Sequence, residues 1–387
     1  MFFAGVLYAW SILKAPLAVE FDWSVSELTL NFTLTMCMFC LGGMISGLLH
    51  RKCSSQAILA IAGGCAFTGF MLTAQLSGSL LSLYLSYGCL CGLGIGMAYN
   101  TIVSSLGVLF PDQKGLCSGV LMMSFGASTL ILGSLADVLF RMPGIGWRTV
   151  YRLLGILIGS ALFAAGGVAV APQADPPFVG NKSDWGGGYS TLEMLREPVF
   201  LKFFLYLICL SSVGNSVVSF ARDFALFTGF SIPAATVLVG ILSICNGLGR
   251  IFSGACFDAF GRKRTVFAAS LFAIAASAIS MAAALLAVPG ACAAGLCFAG
   301  LSYGCGPTLC AAVTAQFFGE RCFALNFSIT NMMLIPSSVI ALVTANIILG
   351  SGGYVAPYAM LLLLAVISLK LGLSLRQPVR REKNIPK

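Results

Sequence analysis

Residues 232–288 read IPAATVLVGILSICNGLGRIFSGACFDAFGRKRTVFAASLFAIAASAISMAAALLAV. The stretch is two apolar runs, 232–257 and 265–288, joined by a turn that holds Asp258, Gly261, Arg262, Lys263 and Arg264. Each run, at about 1.5 Å of rise per helical residue, is long enough to cross a hydrocarbon layer about 30 Å thick. One charge, Arg250, falls inside them.

Working outward, the pattern recurs. Runs at 1–19, 28–49, 56–75, 79–105, 115–140, 148–171, 199–227, 291–317, 322–349 and 353–375 complete a set of twelve. Of 387 residues, 58% are hydrophobic and 9% charged, with a mean hydropathy of +0.96. Soluble domains carry roughly 25% charged residues, so this chain cannot wet a globular surface. The composition predicts an all-α membrane protein whose solvent is the lipid bilayer. The net charge of +9 is spread over short loops, which argues against a nucleic-acid partner. The fifteen cysteines lie mostly inside runs, where they serve as small, soft core residues. With one histidine, His50, and no paired CxxC spacing, neither a metal site nor a disulfide framework is expected, and no cofactor.

The longest polar stretch, 172–198 (PQADPPFVGNKSDWGGGYSTLEMLREP), divides the runs six and six. It predicts an N-terminal bundle over 1–171, a linker over 172–198, a C-terminal bundle over 199–375 and a tail over 376–387. With the linker in the cytoplasm, fifteen loop and tail Lys and Arg fall on that side, against Arg141, Arg148 and Arg152 on the other. That bias places both termini in the cytoplasm. Met1 opens straight into apolar sequence without a charged leader, so the first helix is expected to lack its beginning and not to be a signal peptide. The halves repeat weakly: Ser46-Gly47 before Arg51-Lys52 parallels Ser253-Gly254 before Arg262–Arg264. Six-span repeats build the two rocking bundles of many secondary transporters.

The turn Gly254-x-x-x-Asp258-x-x-Gly261-Arg262-Lys263-Arg264 resembles the cytoplasmic signature loop of the major facilitator superfamily. Asp258, at a helix end beside Arg262 and Lys263, can then pair across the bundle interface and set a gate; the plainer view is that the basic residues only hold topology. The first copy has Arg51 where the acid should stand. A second resemblance is to the oxalate:formate antiporter family within that superfamily. Tyr8-Ala9-Trp10-Ser11, Pro16-Leu17 and Phe21-Asp22-Trp23-Ser24 look like its first helix, and Phe110-Pro111-Asp112-Gln113-Lys114-Gly115 like its loop between helices 4 and 5. Gly146-Trp147-Arg148-Thr149-Val150-Tyr151 is similar to its entry to helix 6, and Asn246-Gly247-Leu248-Gly249-Arg250 to its helix 8. The resemblance implies twelve transmembrane helices in two six-helix bundles (the major facilitator fold). It implies a monomeric multi-pass protein of a bacterial inner (cell) membrane that carries a small organic anion.

Lys14, Asp137, Arg222 and Lys370 sit near run ends, where side chains can reach the interface. Arg250 lies eight residues before Asp258, so about 12 Å from the turn. A central arginine costs about 3 kcal/mol or more, so it must face a wet cavity or a partner. A guanidinium there is a fork for a carboxylate; an arginine tied to backbone carbonyls is the packing alternative. The resemblance implies the fork, since the family's helix 8 arginine at this motif position binds the anionic substrate. Asn246, one turn away on the same face, is its candidate neighbour or an interhelical hydrogen bonder. The family also places a basic residue on helix 11. Here that stretch reads Asn331-Met332-Met333-Leu334-Ile335-Pro336, with Leu334 near the expected place and no lysine, which favours a monocarboxylate over a dicarboxylate.

Tyr8 and Trp10 in the first run, Tyr99 and Asn100 in the fourth and Tyr303 in the tenth are further candidates for the cavity, although membrane aromatics are more often anchors. Gly119, Gly126 and Gly133 read as a packing stripe between the halves. The Gly92-x-Gly94-x-Gly96 run follows no strand, so it is not a dinucleotide loop. No phosphate-binding loop is visible, so a gradient would drive alternating access. Exchange is preferred over symport because no midplane Asp, Glu or His offers a proton carrier. A non-transporting sensor or degenerate carrier of the same fold is the alternative. A membrane enzyme would need a polar cluster at one face, and none is visible.

Overall fold

In a computed structural model the described residues are 1–50, 52–109, 120–121, 123–124, 127–168, 188–319 and 322–378. Among them the regular structure is entirely helical. A tight 3-10 turn, Phe3–Ala9, leads into α1 (Trp10–Phe21), followed by α2 (Val25–Leu49) and α3 (Ser55–Thr73). Next, α4 (Leu80–Leu83) widens through the π-type segment Tyr84–Cys91 into α5 (Gly92–Leu109). A second π-type segment, Thr129–Gly133, runs into α6 (Ser134–Arg141), and α7 (Trp147–Val168) closes the first half. The short α8 (Thr191–Arg196) precedes α9 (Pro198–Phe227), α10 (Ile232–Leu286) and α11 (Pro289–Phe318). Last come α12 (Phe323–Asn331), α13 (Leu334–Ser351) and α14 (Val355–Ser374).

Among the described residues ten helical stretches are long and apolar enough to cross a membrane, and one of them, Pro233–Leu286, is 54 residues long. Gly261 breaks it at φ 76° and ψ 171°, a backbone conformation open to glycine and hostile to other residues. The basic turn expected after residue 257 is therefore the joint between two crossings. Counting both legs, and the apolar Ile131–Phe140 as the described end of the fifth run, gives the twelve spans.

Helix starts follow local chemistry. Ser24 and Glu27 form a reciprocal capping box at α2, as do Ser190 and Glu193 at α8. Proline opens α9, α10 and α11 within their first turn, where its missing N–H costs nothing. The eleventh run is not continuous as read. It breaks between α12 and α13, because Pro336 has no N–H to give the Met332 carbonyl; the Ile335 N–H bonds Met332 O instead, at 3.0 Å, in a tighter turn.

Packing is close because small residues allow it. A side chain on Gly96 of α5 would collide with the Phe39 carbonyl of α2, and one on Gly42 of α2 with the Leu93 carbonyl of α5. Gly119 and Gly126 lie outside the described residues. Gly133 faces Ile12 and Ala9 of the first helix, 3.0 and 3.3 Å from a virtual Cβ. At this position the glycine stripe therefore packs inside the first half and not between halves, as its spacing had suggested. The second part of the linker is also ordered structure: the Tyr189 N–H bonds Phe318 O at 2.8 Å, the Asn326 amide bonds Tyr189 O at 3.2 Å, and Met194 is fully buried.

The halves meet where α2 packs on α12 and α13, and where the Thr129–Gly133 segment touches α10. Substituting Gly96→Ala forces a methyl into backbone and should destabilise by about 1–3 kcal/mol or more. Gly64→Ala, with nothing within 4 Å among described atoms, should be neutral. Paired melting curves in detergent check this; equal curves would overturn the packing account.

Candidate functional site

The first leg of α10 has a clear outer face: Val237, Ile241, Ile244, Leu248 and Phe252, each exposed, recur at helical spacing. Asn246 and Arg250 lie on the opposite side. Arg250 is 2% exposed and heads the largest fully buried side chains. One flank of its helix is pressed on α11: Gly304 lets in the Asn246 carbonyl and the Arg250 N–H, and Gly249 meets Leu301. The other flank carries Gly247 against Met123 of the fifth run, 3.2 Å from a virtual Cβ. Arg250 is thus buried on a helix flanked by α11 on one side and the opposite half on the other. Its Nε donates to Asn246 Oδ1 at 3.4 Å, so the two residues paired on sequence spacing are paired in space.

Tyr303 packs over Gly214 of α9. Tyr99 and Asn100 gather with Phe39, Gly43, Phe327 and Ser328 where α2, α5 and α12 cross. Tyr99 stacks on Phe327, with centroids 6.0 Å apart. Asn100 gives its amide N–H to Gly43 O at 3.0 Å, and that carbonyl also accepts the Ser328 hydroxyl from the other half at 2.8 Å. Trp10 is held elsewhere, within the first half: its indole N–H bonds Leu28 O at 2.9 Å and its ring tilts against Tyr87 at 4.5 Å. The side chain of Tyr8 lies outside the described residues, as do Arg51 and the loop 110–115.

At the turn, Asp258 and Lys263 are exposed. Arg262 bends into its own half, with Nη2 donating to Leu375 O at 3.4 Å and the guanidinium 4.3 Å over the Phe317 ring. It thereby caps the end of α14. Burial pushes His50, at the same end, below the ordinary imidazole range.

Sequence reasoning missed the contacts that shut the linker end. A virtual Cβ on Gly47 of α2 sits 2.9 Å from Leu325 Cα of α12, Gly43 holds Ser328, and the Cys40 thiol leans on Asn331 O at 3.7 Å. The Ser46-Gly47 repeat was the available signal; what it touches was not. At the opposite end Glu20 pairs with Arg148 at 2.8 Å and accepts from the Trp147 indole, while Arg148 also caps Leu76 O at 3.1 Å.

The family model described as Major Facilitator Superfamily matches residues 1–286. The chain belongs to this superfamily. Among curated relatives, the uncharacterized MFS-type transporter YhjX of Escherichia coli is 26% identical over 68% of this chain and 65% of its own length. The oxalate:formate antiporter of Oxalobacter formigenes is 24% identical over 68% and 62%. The chain thus spans a little under two thirds of these relatives. Mouse monocarboxylate transporter 12 is 30% identical over 38% of this chain and 29% of its own. The fold matches the E. coli fucose:proton symporter FucP (TM-score 0.68, 14% identity, 97% and 98% of the two chains) and the proton:xylose symporter XylE (0.72, 14%, 96% and 93%). The chain is a multi-pass membrane protein of the major facilitator fold, and the relatives and solved structures it resembles are transporters, not enzymes.

Since glycine is obligatory where α2 meets α12, Gly47→Val should hold the linker end apart. Peptide-level mass spectrometry should then find Cys40, now buried, alkylated several-fold faster by a water-soluble maleimide. Unchanged labelling would show that this contact does not seal the end.

Proposed function

We propose that the protein carries a small organic anion, preferably a monocarboxylate, by alternating access, and that exchange is favoured over symport. The observation that carries this is the Arg250 guanidinium, fully buried in mid-span on the inward face of its helix and steered by Asn246. A carboxylate is the planar acceptor such a fork suits. The oxalate:formate antiporter and the monocarboxylate transporter among the relatives support the substrate class. On α13, Leu334 stands where a second cation would sit, and it is buried and apolar, which disfavours a second carboxylate.

In this proposal Tyr303, Tyr99 and Asn100 shape the interior, and Tyr8 and Trp10 contribute to it from the first helix. Asp258 and Lys263, with Arg262 anchoring their turn, form the rim of the gate. The two bundles, 1–171 and 199–375, rock about the anion, with the linker and both termini in the cytoplasm of a bacterial cell.

Counterflow in liposomes tests it. Arg250→Gln should abolish uptake of monocarboxylates while the protein stays monodisperse; full activity would remove Arg250 from the site. Leu334→Lys should move preference toward dicarboxylates by about tenfold or more, the worth of a charged hydrogen bond. No shift would remove Leu334 from the site.

A further inference from the structure

The first leg of α10 and α11 run side by side with little between them. A virtual Cβ on Gly300 of α11 would lie 2.8 Å from Cys245 Cβ of α10. Cys297 stands one turn before Gly300, on the same face of α11. Its thiol and that of Cys245 meet across this seam as hydrogen-bonding partners. Both are free and half-buried. Other thiols are engaged differently: Cys40 leans on Asn331 O, Cys91 on Ala66 O and Cys305 on Gly249 O, and all three are buried.

The pair lies at the lipid edge of the seam. Ile241 and Leu248, one turn to either side of Cys245, are exposed on the outer face of the leg, as is the adjacent Ile244. A thiol in apolar surroundings stays protonated and reacts slowly with water-borne oxidants. An oxidant dissolved in the lipid, with proton acceptors of its own, suits this position better.

We propose that Cys245 and Cys297 form a reversible disulfide site, oxidised by a fully substituted, lipid-soluble quinone, and that the bond arrests transport. Two S–H bonds break and one S–S bond forms. Both electrons and both protons pass to the quinone, whose carbonyl oxygens become the hydroxyls of the departing quinol. Full substitution leaves no open ring carbon to which a thiol could add. Exchange with a dithiol restores the pair.

The arrest follows from α11 itself. Ten residues beyond Cys297 it carries Pro307, preceded by Gly304 and Gly306. Proline gives the helix no N–H and glycine frees its backbone, so α11 can bend there. Cys297 lies on the segment before that bend, and Cys245 on the leg that bears Arg250. A disulfide fixes one to the other, and the two can no longer move independently. The inference does not depend on what Arg250 binds.

The test exposes purified protein in liposomes to a fully substituted alkyl benzoquinone or to its quinol, blocks the remaining thiols and maps peptides by mass spectrometry. The quinone should yield a Cys245–Cys297 cross-linked peptide two hydrogens lighter than its parts, and the quinol none. Formate counterflow should fall several-fold as the bond forms and recover with a membrane-permeant dithiol. Cys245→Ser and Cys297→Ser, close in size, should each keep their counterflow under the quinone. Absence of the cross-link overturns the proposal, as does a cross-link that leaves counterflow unchanged, or equal inhibition of the serine variants. If the native protein carries no formate before oxidation, the anion reading fails and the cross-link alone decides this one.

Discussion

A guanidinium buried in the middle of an apolar bundle constrains everything around it. Its charge cannot face hydrocarbon, so the helix that bears it must present Leu248 and its neighbours to lipid and turn Arg250 inward. That rotation is fixed by backbone contacts and not by the charge: Gly249 and Gly304 bring α10 and α11 so close that little turning is possible. Asn246 then sets the direction of Nε. The glycines, the amide and the guanidinium form one device, in which packing decides where an electrostatic group is aimed.

Lipid offers helices no hydrophobic reason to associate, and the protein meets this with the same solution in each half. Gly42 and Gly96 join α2 to α5; Gly249 and Gly304 join α10 to α11. The weak repeat in the sequence therefore has a physical correlate in paired glycine contacts between corresponding helices. Between the halves the described contacts include polar ones, the Ser328 hydroxyl on Gly43 O and the Cys40 thiol on Asn331 O.

The spans were legible because their length is dictated by the bilayer. So was the polarity of Arg250, since one charge in twenty-six apolar residues has few places to go. Less legible was anything set by where a helix touches another. Trp10 reads as a cavity aromatic in sequence, and no spacing reveals that its indole meets the Leu28 carbonyl. Arg262 reads as part of a gate in sequence, and only its contacts reveal that it also caps the end of α14. Gly133 belonged to a stripe whose partner helix no spacing reveals. Cys245 and Cys297 were passed over because a thiol among apolar residues looks like packing until its neighbour on another helix is known.

The Gly43 carbonyl serves two donors, Asn100 from its own half and Ser328 from the other. With Cys40 against Asn331 and Gly47 against Leu325, this part of the shut end is held by neutral dipoles and dispersion alone. Ionic screening acts on charges and leaves such contacts almost untouched. This portion of the closure therefore keeps its strength from dilute to brackish surroundings.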